Sequence, residues 1–383
     1  MLISHQSPLG RCKMKLMRKT FCIIFLLNIF VANVSARFVV QTIYFRPTDA
    51  PQTPVAQLQE HMRDAQQFYS DEMNRHGYGQ KTFRIEEDVN DDVIIHTVNG
   101  KHNAAHYLHN TFEKIEPELP FDFVFDNVNA QDNIQLIIVG GLNFVDGSVF
   151  GFGWPVSGWR CGGTAVVAGH RMGVPLIAHE LGHAFGLYHT DIHNALMGPG
   201  DEILLDYEAR WLDRHHYFND LHIRNDIPEF VNDLGIMLTD RFTLTFRFRA
   251  ESNSGLYHTQ LFKSENVFVL GTDNLNGNTD FAEVDVPRRL VINGDTIWYQ
   301  IMDVHGNFIM KKKNNIIIPD NLPATDPPRE NKNPDIPLED KDKLECPHCM
   351  PNDENVLDRT DQSISISPTS TLTTSWAHIK TLP

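Results

Sequence analysis

His179-Glu180-Leu181-Gly182-His183-Ala184-Phe185-Gly186-Leu187-Tyr188-His189 is the stretch from which the rest of this 383-residue chain can be read. Histidines four apart share one face of a helix, so the imidazoles of His179 and His183 can reach a single ion. Glu180, next to the first of them, can bring a carboxylate to the same place as a general base. Gly186 can take a positive φ, which ends a helix and turns the chain sharply. His189 can then swing back as a third nitrogen ligand. Three neutral imidazoles with one position left for water are the donor set of a catalytic zinc site, whereas structural sites are closed by a fourth protein ligand. Leu176, Ile177 and Leu181 supply apolar anchors beside the metal-facing side.

The short form HExxH alone is a modest signal, and five fixed positions together are far more specific. Followed by Met197 in Ala195-Leu196-Met197-Gly198, the run resembles the metzincin clan of zinc endopeptidases, whose pattern is HExxHxxGxxH and then a turn carrying methionine beneath the metal. His179, Glu180, His183, Gly186 and His189 match that pattern position for position. The resemblance spans roughly residues 37 to 220. It implies an α+β domain, a twisted mixed sheet with long helices, and one catalytic zinc held by His179, His183 and His189. It also implies Glu180 as general base and then acid, and Met197 as an apolar floor that does not ligate.

The match has departures. Thr190, after the third histidine, fits none of the common subfamily choices. Ala195-Leu196-Met197 is similar to the matrixins, but Gly198 stands where they place tyrosine. That also argues against an astacin-like fifth ligand. Matrixin signatures for a second zinc are not apparent, and a calcium requirement is not readable. The clan is implied and the subfamily stays open. A rival geometry would use Glu202, 19 residues after His183, as the third ligand. Glu202 follows Gly198-Pro199-Gly200-Asp201, which reads as a loop, whereas peptidases of that kind carry the glutamate on a second helix.

Around this centre, residues 37 to 225 read as mixed α and β. Strands are expected at Phe38 to Phe45, Phe83 to Ile85, Val93 to Val98, Ile134 to Val139 and Thr164 to Ala168. A helix is expected after a Thr53 cap and Pro54, with Leu58, Met62, Ala65 and Tyr69 on its buried face and Gly77 as its stop. Further helices are expected from about Pro175 and over Asp206 to Phe218. Ser148 to Trp154 reads either as an edge strand or as a plain loop. Cys161 reads as a buried cysteine, with a zinc-blocking thiolate as the other reading.

Residues 228 to 319 change character. Phe242, Leu244, Phe246 and Phe248 alternate with polar residues, the period of a half-buried strand. Strand runs at Tyr257 to Phe262, Val267 to Leu270, Phe281 to Val286 and Thr296 to Val304, with turns at Asn293-Gly294 and His305-Gly306, predict a β-sandwich accessory domain. An immunoglobulin- or fibronectin-like fold and a jelly roll both fit. Residues 320 to 383 hold 9 of the 21 prolines and read as a disordered tail. Cys346 and Cys349 there lack the partner pair of a zinc site, so a local disulfide or a thiol pair is expected.

The N-terminal 36 residues read as a secretory signal. Arg11, Lys13, Lys15, Arg18 and Lys19 precede a short apolar run from Phe21 to Val34 and the ending Val34-Ser35-Ala36. The run falls short of the ~20 apolar residues of a spanning helix, although an uncleaved anchor is the other reading. The formal net charge of −16 argues against a general nucleic-acid binder, which needs a cationic face. Together these readings predict a secreted, extracellular zinc endopeptidase acting on protein or peptide substrates, with no stable membrane span. The alternative is a secreted binding protein that keeps a vestigial zinc site and recognises an extracellular ligand through the sandwich.

Overall fold

In the computed structural model, residues 38–120, 132–146, 149–155, 162–200, 202–219, 227–263 and 268–319 are described. The signal-like segment 1–36, Ser148, Cys161 and the tail 320–383 with Cys346 and Cys349 lie outside the described residues.

The first region is built on one five-stranded sheet of β1 (Val40–Arg46), β2 (Ile95–Asn99), β3 (Ile134–Val139), β4 (Gly151–Pro155) and β5 (Gly163–Ala168). The spatial order is β2-β1-β3-β5-β4. The first four run parallel, and β4 closes one edge antiparallel to β5. Every residue of β3 and β5 is buried, because both faces of the sheet are covered. The alternation of side chains divides the apolar load. Leu136 and Ile138 face the cluster shared with the long helix, while Ile137 and Val139 face Tyr107, Phe112 and Ile115 on the other side.

The long helix is α1 (Val55–Arg75). Leu58, Met62, Ala65, Tyr69 and Met73 form its buried stripe at helical spacing, and Gly77 (φ 84°) turns the chain just beyond its end. Its start differs by one residue from the sequence reading. Pro54 is extended (φ −56°, ψ 132°) and occupies the cap position, and the Thr53 hydroxyl goes to Tyr44 Oη at 3.1 Å. The expected strand at Phe83 to Ile85 is reduced to a single parallel bridge between Ile85 and Val40.

Beyond the short helical turns Ala104–Tyr107 and Thr111–Ile115 come two longer helices, α2 (Val174–Ala184) and α3 (Asp206–Arg214). The sequence reading carried the second on to Phe218. It stops at Arg214 because His215 is extended (ψ 137°) and the chain turns inward, burying Tyr217 and Phe218. No glycine or proline marks that stop.

Residues from 229 onward form two antiparallel sheets, a three-stranded one (β10-β7-β6) and a four-stranded one (β12-β11-β8-β9). The strands are β6 (Glu229–Leu238), β7 (Thr243–Glu251), β8 (Leu256–Lys263), β9 (Phe268–Asn274), β10 (Thr279–Pro287), β11 (Ile297–Asp303) and β12 (Phe308–Lys313). Leu244, Phe246 and Phe248 point inward and meet Ile297, Tyr299 and Ile301 of the facing sheet in one core. Phe242, expected to belong to the same inward row, precedes β7 and is 64% exposed. The expected strands carried no sign of β6, whose register slips between Phe230 and Asn232 and again between Asp233 and Gly235. Each bulge breaks the period of two by which a strand is recognised. β12 (FIMKKK) was also missed, since its lysines hide the apolar alternation.

The two regions share buried side chains. Phe308 packs edge-on against Trp211 of α3, with centroids 5.2 Å apart. The Tyr257 hydroxyl donates to Asp213 Oδ2 at 3.0 Å. Gly306 lies so close to α3 that a β-carbon there would sit 2.0 Å from Arg214 O. No helix among the described residues is long and apolar enough to cross a membrane.

Candidate metal centre

α2 carries His179, Glu180 and His183, all buried, and ends in a glycine motif that redirects the chain. Gly186 has φ 84° and donates its N–H to His183 O at 2.9 Å, while Leu187 N–H donates to Gly182 O at 2.9 Å. This 5→2 and 6→1 pair is the Schellman arrangement, which uses glycine because side chains clash in the left-handed region. The reversal brings His189 back over the helix.

The three imidazoles converge. His183 Nε2 and His189 Nε2 are 3.0 Å apart, and one nitrogen from each of His179, His183 and His189 lies within 4.8 Å of the others. Ring centroids are 5.0, 5.5 and 4.5 Å apart. Two nitrogens on a tetrahedral zinc at ~2.05 Å would be ~3.3 Å apart, close to the His183–His189 separation. Backbone carbonyls set the tautomers. His179 Nδ1 faces Leu196 O at 2.7 Å and His183 Nδ1 faces Leu187 O at 3.0 Å. A carbonyl only accepts, so each Nδ1 carries the proton and each Nε2 lone pair is turned to the centre. Burial, and then the neighbouring His189 and His179, hold the His183 imidazole well below its usual pKa, in the neutral form that binds metals.

Glu180 and Met197 take their places through glycines. A β-carbon at Gly151 of β4 would lie 2.6 Å from Glu180 Oε1, so the missing side chain makes room for the carboxylate. One at Gly153 would lie 2.4 Å from Glu180 O, so β4 runs against the helix backbone itself. The spaced pair in Gly151-Phe152-Gly153 was the available signal for this close approach, and the sequence reading did not use it. Met197 is fully buried under the helix. Its turn is tied to the triad, because Thr190 N–H donates to Met197 O at 2.9 Å and Leu196 supplies the carbonyl for His179. Glu202 is exposed on the loop and does not belong to the converging set.

The β-rich region contributes as well, which sequence reasoning missed entirely. Val269 N–H donates to His189 O at 2.8 Å, and the Phe268 ring lies 5.6 Å from the His189 ring. Beside this contact is an open cavity of about 230 Å³ walled by Asp191, Lys263, Phe268, Leu270 and Arg289. Arg289 and Asp191 face one another there at 3.6 Å.

No protein-family model and no curated protein matches the sequence. Solved structures do match. A catalytically inactive OgpA from Akkermansia muciniphila, in complex with the O-glycopeptide substrate glycodrosocin, matches at 17% identity and a TM-score of 0.51. Wild-type OgpA matches at 18% identity and a TM-score of 0.50. Each alignment covers 73% of this chain and 92% of that chain. The chain shares the OgpA fold. That likeness covers most of OgpA, and His179, His183 and His189 form a buried group able to hold a metal ion.

Proposed function

We propose that the chain is a secreted zinc metalloendopeptidase of the metzincin type, with residues 37–225 as the catalytic domain and 228–319 as a β-sandwich packed against it. The observation that carries this reading is the convergence of three buried imidazoles, two of them on the helix that also carries the buried Glu180. A zinc ion bound there would supply a Lewis acid that polarises the scissile carbonyl and acidifies water toward neutral pH. The chain's own groups do the rest. Glu180 takes the proton of the attacking water and passes it to the leaving amine. The carbonyls of Leu196 and Leu187 hold the His179 and His183 rings in place during the reaction. β4 is the edge strand, so an extended peptide can lie against it by strand addition and cross the centre beside Glu180.

The N-terminal basic and apolar segment supports export, and the proline-rich composition of 320–383 supports an extended tail. The O-glycopeptide bound to OgpA makes glycosylated peptides the first substrate class to test. A vestigial site acting only through the sandwich fits less well, since Glu180 and the glycines that accommodate it are all present.

The test is a digest of a peptide and glycopeptide library by wild type and Glu180→Gln, each with and without a chelator, read by mass spectrometry for new amino termini. Cleavage by wild type alone, abolished by the chelator, is expected. Equal cleavage by both proteins would place the chemistry elsewhere.

A further inference from the structure

We infer that the β-sandwich is built into the metal centre, with Gln260 as the positioning residue for the third ligand. This rests on the zinc reading above. The segment that delivers His189 is Gly186-Leu187-Tyr188-His189, and the four-stranded sheet grips it at three points.

The first grip is Gln260. It lies on β8, fully buried, and its Nε2 donates to Gly186 O at 3.1 Å. It stands opposite Gln300 in the β8–β11 register, and the two side-chain amides are hydrogen-bonded to each other. Gln300 and Trp211 crowd the other side of the turn, where a β-carbon on Gly186 would meet Gln300 Nε2 at 3.2 Å and Trp211 Nε1 at 3.3 Å. The second grip is Tyr188. Its ring stacks on Phe262 of β8 at 3.9 Å and its hydroxyl accepts from Gln300 Nε2 at 3.4 Å. The third is His189 itself, whose carbonyl accepts from Val269 N–H of β9.

His179 and His183 are oriented by their own helix and by the turns that follow it. His189 sits on a loop whose path after the glycine reversal is held by sandwich strands. A buried primary amide on a loop carbonyl fixes one backbone position in a way that an apolar side chain of equal size cannot. The sandwich is therefore part of the device that presets the triad, and metal binding and the order of β8 and β9 are linked in both directions.

The test measures zinc affinity by chelator competition on the full chain for wild type, Gln260→Met and Tyr299→Phe. Methionine keeps the volume and removes the donor. Tyr299 is the control. It lies beside Gln300 on β11 but faces the other sheet, against Phe230 and Phe248. Gln260→Met is expected to weaken zinc binding about ten- to a hundredfold, the usual range for groups that orient ligands. Its activity is expected to return toward wild type at saturating zinc. Tyr299→Phe is expected to bind as wild type does. Should Gln260→Met fail to fold, hydrogen exchange on wild type decides: zinc should slow exchange of the Val269 amide. Unchanged affinity in Gln260→Met, or a Val269 amide indifferent to zinc, overturns the inference and leaves the peptidase reading standing. A wild-type protein that binds no zinc overturns both.

Discussion

The sulfur of Met197 lies directly against Gly182, so close that a β-carbon on the glycine would sit 2.6 Å from it. Met197 is fully buried, and Tyr69 Oη would be 3.3 Å from the same β-carbon, so neither neighbour has room to retreat. Gly182→Ala is expected to push the turn of Met197 and Leu196 away from α2. Overpacking of this kind costs ~1–3 kcal/mol. Because Leu196 orients His179, zinc affinity should fall along with stability. Urea unfolding and chelator competition on the same variant check both.

Gly151 stands in a different relation to the chemistry. Its missing β-carbon is where the Glu180 carboxylate fits. Gly151→Ala should displace the carboxylate while leaving the three histidines in place. The expected result is a loss of ~10²–10⁴ in kcat/KM, the range for a displaced general base, with zinc stoichiometry unchanged. Equal loss of metal and activity would show that the strand, and not the carboxylate, had moved.

Acid should destabilise the protein through two buried imidazoles. Burial, then the neighbouring His216, pushes His215 down to about 3, and burial, then Arg210, pushes His258 down to about 3. Both are neutral in the folded chain, while in the unfolded chain each takes up a proton below about 6.5. Between those values the unfolded state binds more protons, so stability falls as pH drops from 6.5 toward 3. Each group contributes a slope of up to ~1.4 kcal/mol per pH unit. His215→Phe keeps the ring among Phe185, Tyr217 and Phe308 and should flatten the profile by about that amount. Urea titrations in chelator between pH 3.5 and 7 measure the difference and remove the metal from the comparison.

Metal removal should lower stability at constant pH. A ligand that binds only the folded state stabilises it by ~4 kcal/mol at a thousand times its dissociation constant. Melting curves at rising free zinc should therefore climb with the logarithm of zinc concentration in wild type and stay flat in His189→Ala.

The cavity beside His189 should bear on substrate choice. Arg289→Ala opens the face-to-face pair with Asp191 without touching a ligand. A change in KM or in cleavage-site preference, with zinc affinity unchanged, is the expected outcome in a library digest.

Much of the first region was legible because its signals are local. The Ile134–Val139 strand, the buried stripe of α1 and the glycine stop of α2 each follow from residues within a few positions of one another. Where the sequence reading failed, the cause lay in pairing and packing that the local pattern does not show. β6 pairs through two bulges that only its neighbour β7 reveals. Phe242 alternates correctly with Leu244 yet falls before the strand that buries the others. α3 ends where the core draws in Tyr217 and Phe218, with no breaker to announce it.

The centre divides in the same way. Histidines four apart on one helix, a carboxylate between them and a glycine three residues beyond the second histidine are covalent neighbours, so the amino-acid sequence alone determined the donor types and the reversal. Only the tertiary structure decided that Gly151 lodges the carboxylate and that β8 and β9 hold the loop that returns to His189. Those contacts join residues some 30 to 80 positions apart, and such separations become proximity only when a packed core leaves the chain no other arrangement.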